Sequence, residues 1–381
     1  MPPTNEPVVN TPAPLSPTPP EHAHHRWMVG VAALLVLIVC ALWITEWMGS
    51  KTSNSTTRTE PVKIGILGFN QQKEAHEAFK ARMMELGYQE GRDVIYDEAF
   101  VVPGPNMIAD HTANLERLLD PASKIDLLWL SLEIQTKIAI DMTKERGLDI
   151  PIVFISRFHD PVEYGLVASY RSSGNNATGV ASNLFDIVQK HLEFYKEISP
   201  NMKTLGVFTD GFWVPALGGW YFEELKKQAA SFGIVIKEYK TTAPPPEAEK
   251  EFAKVAATIQ KGDIDGLMHI AGHAYAEQQV GELALATRLG IPHAAPFEDL
   301  PGGGHFSYSD IFGLSAAQSA TIVDKILKGA KPSDIPVEYG AHSELWLVED
   351  RAEAAGITFP DSMRFKAAKI FESANDIPKP R

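Results

Sequence analysis

The sequence contains a single cysteine among its 381 residues. This excludes a disulfide framework and any zinc or iron–sulfur site built from several thiolates. The chain also has no excess of basic charge, since 35 Lys and Arg residues stand against 48 Asp and Glu residues, a formal net charge of −13. Proteins that bind nucleic acid normally carry a basic surface, so we expect no nucleic-acid partner.

Motifs for nucleotide binding and hydrolysis are missing as well. The chain has no G-x-x-x-x-G-K-[ST] loop, no G-x-S-x-G turn and no H-E-x-x-H helix. His269 and His273 lie four residues apart, but Gly272 and the apolar strand before it make a shared helical face unfavourable. These absences favour a protein without a metal, a cofactor or an enzymatic activity.

The N-terminal part of the chain reads as a tail and an anchor. Residues 1–25 are rich in proline and are predicted to be disordered. From residue 27 to residue 44 every side chain is apolar or glycine, nearly long enough for a bilayer core of roughly 30 Å. We therefore predict a transmembrane helix over residues 27–47, followed by a flexible polar linker over residues 48–61.

Cys40 leaves an alternative open for this segment, a cleaved and lipidated N-terminus. However, Cys40 lies deep in the apolar run and follows the branched Val39 instead of a small residue. A cysteine that packs as a small apolar residue in a helix is the simpler interpretation.

The body of the chain alternates short apolar runs with amphipathic segments, which is typical of strands and helices in an α/β fold. The alternation restarts after a glycine-rich break at residues 174–179. Two such series predict two doubly wound, mostly parallel sheets, that is, two Rossmann-like lobes with a hinge and a cleft between them. The predicted strands span residues 62–68, 94–100, 125–130, 151–156, 204–208, 235–239 and 266–270.

Ligands of open parallel sheets bind beyond the carboxyl ends of the strands, where loops lead into helices. This rule places the candidate site on the loops that follow the predicted strands. Its candidate ligand-binding residues are Phe69, Asn70, Ser131, Leu132, Glu133, Arg157, Phe158, Asp160, Asp210, Phe212, Trp213, Gly272, His273, Phe297, Glu298 and Asp310.

Within this set we expect backbone amides at helix starts near Ser131 and Gly272 to hold a carboxylate. An acid such as Asp210, Glu298 or Asp310 would take an ammonium group, and aromatic rings would cover an apolar part. Asp310 also precedes a predicted helix over residues 311–327, so capping of that helix is an equally good interpretation of this residue.

Several segments resemble the family of bacterial ABC-transporter substrate-binding proteins that includes tryptophan and tyrosine binders. The likeness covers almost all of residues 62–360. It is carried by ELGYQEGRDV at 85–94, IPIVF at 150–154, DPVEYGLV at 160–167, GNNATGV at 174–180, SYSD at 307–310 and KGAKPSDIPVE at 328–338.

The resemblance implies the type I periplasmic-binding fold and three passages of the chain between the lobes, which we expect near residues 181–183, 302–306 and 333–336. One lobe would comprise residues 62–182 and 305–334, and the other residues 183–302 and 335–360. Residues 361–381 would form a C-terminal extension.

In function, the resemblance implies a solute-binding protein that has no catalytic activity and feeds an ABC permease. The small-molecule ligand would be an amino acid or a related small carboxylate. The anchor would lie in the inner membrane as a single pass, with the tail in the cytoplasm and the body in the periplasm. The alternative is a ligand-sensing or adaptor subunit that signals to a membrane partner.

Overall fold

The computed structural model describes residues 60–102, 104, 106–211, 219–243, 247–270, 276–340 and 343–378. The predicted tail, the predicted anchor and nearly all of the linker lie outside these ranges. No helix within the described ranges combines the length and the apolar character needed to cross a membrane. Residues Glu60–Arg381 form one compact unit.

The strands of this unit follow the predicted alternation closely in its first half. They are β1 (Val62–Phe69), β2 (Val94–Val101), β3 (Leu127–Leu130), β4 (Ile152–Ser156), β5 (Ala177–Ala181), β6 (Thr204–Asp210), β7 (Val235–Thr241), β8 (Gly266–Met268), β9 (His293–Ala294), β10 (Phe306–Asp310), β11 (Glu338–Tyr339), β12 (Ser343–Val348) and β13 (Lys369–Phe371).

The helices connect these strands on both faces of each sheet. They are α1 (Lys73–Glu85), α2 (Met107–Leu118), α3 (Glu133–Arg146), α4 (Leu184–Ile198), α5 (Gly219–Ser231), α6 (Glu247–Thr258), α7 (Ala276–Leu289), α8 (Phe312–Leu327), α9 (Glu349–Ala354) and α10 (Asp361–Lys366).

The first lobe is built on a sheet with the strand order β11-β5-β4-β3-β1-β2, in which all pairs are parallel. Parallel strands covered on both faces are apolar throughout, as in β3, where all four residues are buried. Helices α1 and α8 cover one face and α2 and α3 the other. The indole N–H of Trp129 in β3 donates to Oγ of Ser319 in α8 at 2.7 Å, which ties the late helix to the early strand.

The second lobe is built on a sheet with the order β13-β12-β10-β9-β8-β6-β7, in which the β10–β12 pair is antiparallel. Helices α4 and α5 pack on one face, and α6 and α7 on the other. The two-lobed α/β architecture predicted from the sequence is therefore present in the described part of the chain.

The passages between the lobes differ from the prediction at two of three points. The first lies between β5 and α4, as expected near residues 181–183. The second follows β10, because residues 306–310 pair in the second sheet, so the expected passage at 302–306 and the assignment of residues 305–310 to the first lobe are corrected. The third follows β11, which pairs with β5 in the first sheet, instead of lying at 333–336.

The C-terminal residues also belong to the second lobe and are not a separate extension. Strand β13 pairs in parallel with β12, with Leu347 opposite Ile370. The pairing was not predicted because strands of two or three residues carry too little apolar periodicity to be recognised.

Strand β5 was hidden in the glycine-rich break. Gly179 lies opposite Phe154 of β4, and a Cβ atom at position 179 would approach the Phe154 carbonyl oxygen to 2.0 Å. Glycine at this point is thus a requirement for close pairing of the strands, although its sequence signal was that of a loop.

Three buried histidines make the stability of this fold sensitive to acid. Burial lowers the pKa of His76, His111 and His191 to about 4. Below about pH 6.5, the pKa of histidine in an unfolded chain, these histidines bind protons in the unfolded state but not in the folded state. We expect the free energy of unfolding to decrease between pH 6.5 and pH 4, by up to about 1.4 kcal/mol per pH unit for each histidine.

His111 offers a clean test, since neither ring nitrogen has a hydrogen-bond partner among the described residues. His111→Leu should reduce the slope of the unfolding free energy against pH by the contribution of one proton. It should leave the free energy of unfolding at pH 7 nearly unchanged. Urea unfolding at several pH values measures both. A variant with the same slope as the parent would contradict the buried, neutral histidine.

Candidate functional site

A cation from the first lobe meets an acid from the second at the carboxyl ends of their strands. Arg157 directly follows β4, and Glu298 lies in the loop after β9. Nη2 of Arg157 donates to Oε1 of Glu298 at 2.7 Å, and the two side chains are 15% and 37% exposed. The guanidinium also lies 4.3 Å from the centre of the Phe312 ring and 5.4 Å from that of Phe158. Two of the predicted site residues, Arg157 and Glu298, are thus brought together.

The Arg157 guanidinium has unused hydrogen-bonding capacity. Of its five N–H donors, one is engaged by Glu298, and no other bond runs from the guanidinium to a described residue. A largely buried cation with free donors is suited to bind an anionic or carbonyl oxygen that enters between the lobes.

Asp310 ends β10 at the second passage between the lobes. Its Oδ1 accepts a hydrogen bond from the hydroxyl of Ser343, whereas its Oδ2 is buried and has no hydrogen-bond partner among the described residues. Burial raises the pKa of Asp310, and the nearby hydroxyls of Ser343 and Ser182, together with the charge of Arg157, offset part of that effect.

The capping interpretation of Asp310 is wrong. Helix α8 has Ile311 at its N-cap and no side-chain capping bond. The Asp310 carboxylate turns instead towards the start of β12, so it lies where strands and passages of both lobes meet.

Glu133 is completely buried at the start of α3 and faces its own lobe. Its Oε1 accepts hydrogen bonds from the backbone N–H groups of three consecutive residues: Arg157 at 3.2 Å, Phe158, and His159 at 2.8 Å. Such consecutive amides form a cradle for anions, and here a side chain of the protein fills it.

Other predicted site residues serve the packing or the turns of their own lobes. Asp160 accepts the N–H groups of Val162 and Glu163 with Oδ1 and the Tyr170 hydroxyl with Oδ2, so it fixes a turn. The Ser131 hydroxyl donates to Oε1 of Gln72 at 2.6 Å and is fully buried.

The apolar candidates are mostly core residues, in contrast to the expected cover for a ligand. Leu132, Phe69 and Phe158 belong to the first lobe's core. Phe297 stacks on Trp346 at 4.1 Å in a small cluster of the second lobe. Asn70 is exposed, and Asp210 is buried at the end of β6. Phe212, Trp213, Gly272 and His273 lie outside the described residues, so the expected helix-start amides at Gly272 are not described either.

A second contact between the lobes was missed by sequence reasoning. The indole N–H of Trp220, at the start of α5, donates to Oε2 of Glu163 in the segment after β4. Trp220 directly follows Gly218 and Gly219, so an aromatic side chain next to glycines was the signal that could have found it.

A buried ionic network underlies the rim of the second lobe. Nδ1 of His269 lies 2.9 Å from Oε2 of Glu282, and Nε2 of His269 lies 3.5 Å from Oδ2 of Asp299. Burial alone would lower the pKa of His269, but Glu282 and Asp299 raise it to about 10. Burial alone would likewise raise the pKa of Glu282, but the His269 charge and the bonds from His269 and His293 hold it far below its usual range. The described residues contain no cluster of His, Cys, Asp and Glu side chains able to hold a metal.

A profile of the family described as ABC transporter substrate binding protein matches residues 72–371. The chain belongs to this family. The family predicted from the sequence motifs is confirmed, and its function is binding without catalysis. Among curated protein sequences, none matches the chain.

Solved structures share the fold of this substrate-binding protein. An ABC domain from Streptococcus pneumonia in complex with L-Trp is 20% identical, with a TM-score of 0.67 over 82% of this chain and 100% of that one. A conserved domain protein from Vibrio cholerae is 22% identical, with a TM-score of 0.67 over 82% and 100%. A ligand-free, open substrate-binding protein with adhesive properties from Clostridium difficile is 22% identical, with a TM-score of 0.63 over 81% and 99%.

This substrate-binding protein also has a pocket of about 240 Å³ within its second lobe, away from the Arg157–Glu298 contact. Two of its lining residues are lysines already engaged by acids, Lys190 with Glu193 and Lys366 with Glu197, each at 2.6 Å. Each lysine lies next to an acid of its own lobe, whereas Arg157 pairs with an acid of the opposite lobe. Its lining comprises Lys190, Phe194, Tyr308, Ser343, Glu344, Leu345, Lys366 and Ala368.

The buried pair of His269 and Glu282 should contribute strongly to the stability of the second lobe. Removing one partner of a buried ion pair typically costs about 3–5 kcal/mol, so we expect a loss of this size for Glu282→Gln at pH 7. Because the folded pKa of His269 is raised, its contribution is complete below pH 6.5 and is lost as the pH rises towards 10. The variant should therefore lose less stability than the parent between pH 7 and pH 10.

Chemical denaturation at pH 7 and pH 9.5 measures this difference. Glu298→Gln is the matched control, because Glu298 is partly exposed and such pairs contribute about 0–1 kcal/mol. Equal losses for the two variants would contradict the buried pair.

Proposed function

We propose that the chain is a membrane-anchored periplasmic binding protein that captures an amino acid or a related small carboxylate between its lobes. It would deliver this solute to an ABC permease. The observation that carries the proposal is the Arg157 guanidinium, which lies between the lobes with four of its N–H donors unpaired among the described residues. The solute binds by lobe closure, the motion that two lobes joined by a hinge favour.

The carboxylate of the solute would bind to Arg157. A guanidinium presents a planar fork of donors that matches the two oxygens of a carboxylate. The rings of Phe158 and Phe312 lie against Arg157 and restrict its rotation. The cradle of backbone amides at residues 157–159 is not available to the solute, because Glu133 occupies it.

The ammonium group of the solute would bind to Asp310. Its Oδ2 is buried and has no hydrogen-bond partner among the described residues, and the charge of Arg157 acts on the same carboxylate. An acid and a cation at one junction suit a zwitterion better than a sugar, which carries no charge. We retain Phe212, Trp213, Gly272 and His273 as further contacts in the same cleft.

Likeness to solved structures supports the fold and not the ligand. The Streptococcus structure holds L-Trp, but at 20% identity its ligand does not transfer by itself. The solute class proposed for this chain therefore depends on Arg157 and Asp310.

Variants of these two residues test the proposed ligand. The full-length protein in mild detergent is screened by thermal shift and calorimetry against amino acids, small carboxylates and sugars. Hydrogen bonds to charged groups contribute about 1.5–3 kcal/mol, so Arg157→Gln should weaken binding of the best carboxylate by about 10- to 100-fold. Asp310→Asn should weaken binding of the amino acid but not of its deaminated analogue.

The control is Lys190→Gln in the pocket of the second lobe, which should leave the affinity unchanged. The amide of the same amino acid should bind equally well to the parent and to Arg157→Gln. A protein that binds only sugars, or that binds carboxylates equally well without Arg157, would contradict the proposal.

The proposed anchor has a separate test. Residues 27–47 would hold the chain in the inner membrane, with residues 1–25 in the cytoplasm and the two lobes in the periplasm. We expect the full chain to sediment with membranes and to resist extraction by high salt, and a chain lacking residues 1–59 to become soluble. Protease added to spheroplasts should digest the body of the full chain. A body protected from that protease would reverse the orientation.

A further inference from the structure

We propose that Glu133 is a positioning residue, which fixes Arg157 for its bond to Glu298, and that this bond shifts the ligand-free protein towards contact between the lobes. The inference concerns the molecule without solute and goes beyond the proposed function. It remains testable if the solute class is wrong.

Glu133 fixes the loop after β4 through hydrogen bonds to its backbone. One carboxylate oxygen receives the N–H groups of three consecutive residues, and Nδ1 of His159 lies 3.4 Å from the same oxygen. Hydrogen bonds to a buried carboxylate are stronger than those between neutral groups. The backbone of Arg157 is thereby attached to Glu133 at the start of α3, although the two residues are far apart in sequence.

The loop that carries Glu298 in the opposite lobe is also fixed by contacts to its own lobe. Asp299, the neighbour of Glu298, accepts a hydrogen bond from Nε2 of Gln279 in α7 at 2.6 Å and lies 3.5 Å from Nε2 of His269. Glu298 is therefore carried by a loop that is attached to the helix and strand beneath it.

Fixing both loops lowers the entropic cost of the ion pair between Arg157 and Glu298. An exposed ion pair contributes little, partly because two long side chains lose their freedom when they pair. Here both backbones are anchored, Arg157 is mostly buried, and its guanidinium rests on the Phe312 ring. The two side chains therefore lose less conformational entropy when they pair. The pair stabilises contact between the lobes more than an exposed surface pair would. The bond from Trp220 to Glu163 joins the same segment after β4 to the second lobe and acts in the same direction.

The experiment measures the distance between the lobes in the ligand-free, full-length protein by pulsed electron spin resonance. Spin labels are placed at Lys144→Cys in α3 and Lys254→Cys in α6, both exposed, in a Cys40→Ser background. The parent should show short distances beside longer ones. Arg157→Gln and Glu298→Gln should each raise the ratio of long to short distances, about fivefold for a loss near 1 kcal/mol.

Glu133→Gln should shift the distances in the same direction, and the double variant Glu133→Gln/Glu298→Gln should go no further than Glu298→Gln alone. Glu133→Asp, which keeps the charge but is one methylene shorter, serves as a second variant if the first fails to fold, and it should give an intermediate shift. The control is Glu116→Gln, which removes the partner of Arg146 within the first lobe and should change nothing.

Two results would overturn the inference. Unchanged distances in both Arg157→Gln and Glu298→Gln would show that the pair does not hold the lobes. Parent-like distances in the folded Glu133 variants, or a double variant that opens by the sum of both effects, would show that Glu133 does not act through Arg157. Neither result depends on whether the protein binds a carboxylate.

Discussion

The three passages of the chain between the two sheets are the constraint on which the candidate site depends. They lie side by side: the N–H of Gly340 after β11 donates to the carbonyl of Ala181 at the end of β5 at 2.9 Å, and Ser343 at the start of β12 donates to Asp310 at the end of β10. A change in the angle between the lobes must be taken up by these few residues. Side chains at the passages and on the rims are therefore the ones that respond to closure.

Acidic side chains of similar chemistry serve different ends around this junction. Glu133 and Asp160 are each supplied with backbone N–H donors from their own lobe, so their charges are used to hold loops. Glu298 reaches across to the other lobe, and Asp310 retains an oxygen without a partner among the described residues. Backbone donors from the same lobe, and not the residue type, distinguish the acids that hold loops from Glu298 and Asp310.

Buried histidines of this protein differ in charge according to the acids beside them. His76 and His111 in the first lobe are buried without hydrogen-bond partners among the described residues, and they stay neutral because a lone charge would be too costly there. His269 in the second lobe is equally buried but lies against Glu282, and it holds its proton. The second lobe thus contains an internal ion pair beneath the loop that carries Glu298, which couples its rim to its core.

The amino-acid sequence by itself determined the alternation of strands and helices, because continuous apolar runs and amphipathic periods are local properties. For the same reason it predicted candidate residues in loops after strands, such as Arg157 directly after β4. The tertiary structure alone decided that β10 belongs to the second lobe, since two sheets can accept the same short strand and only long-range pairing selects one. It also decided that Glu133 is buried against residues 157–159 while Arg157 faces Glu298 of the other lobe. These contacts join donors and acceptors that are more than twenty residues apart in the sequence. No local sequence pattern shows that such residues meet.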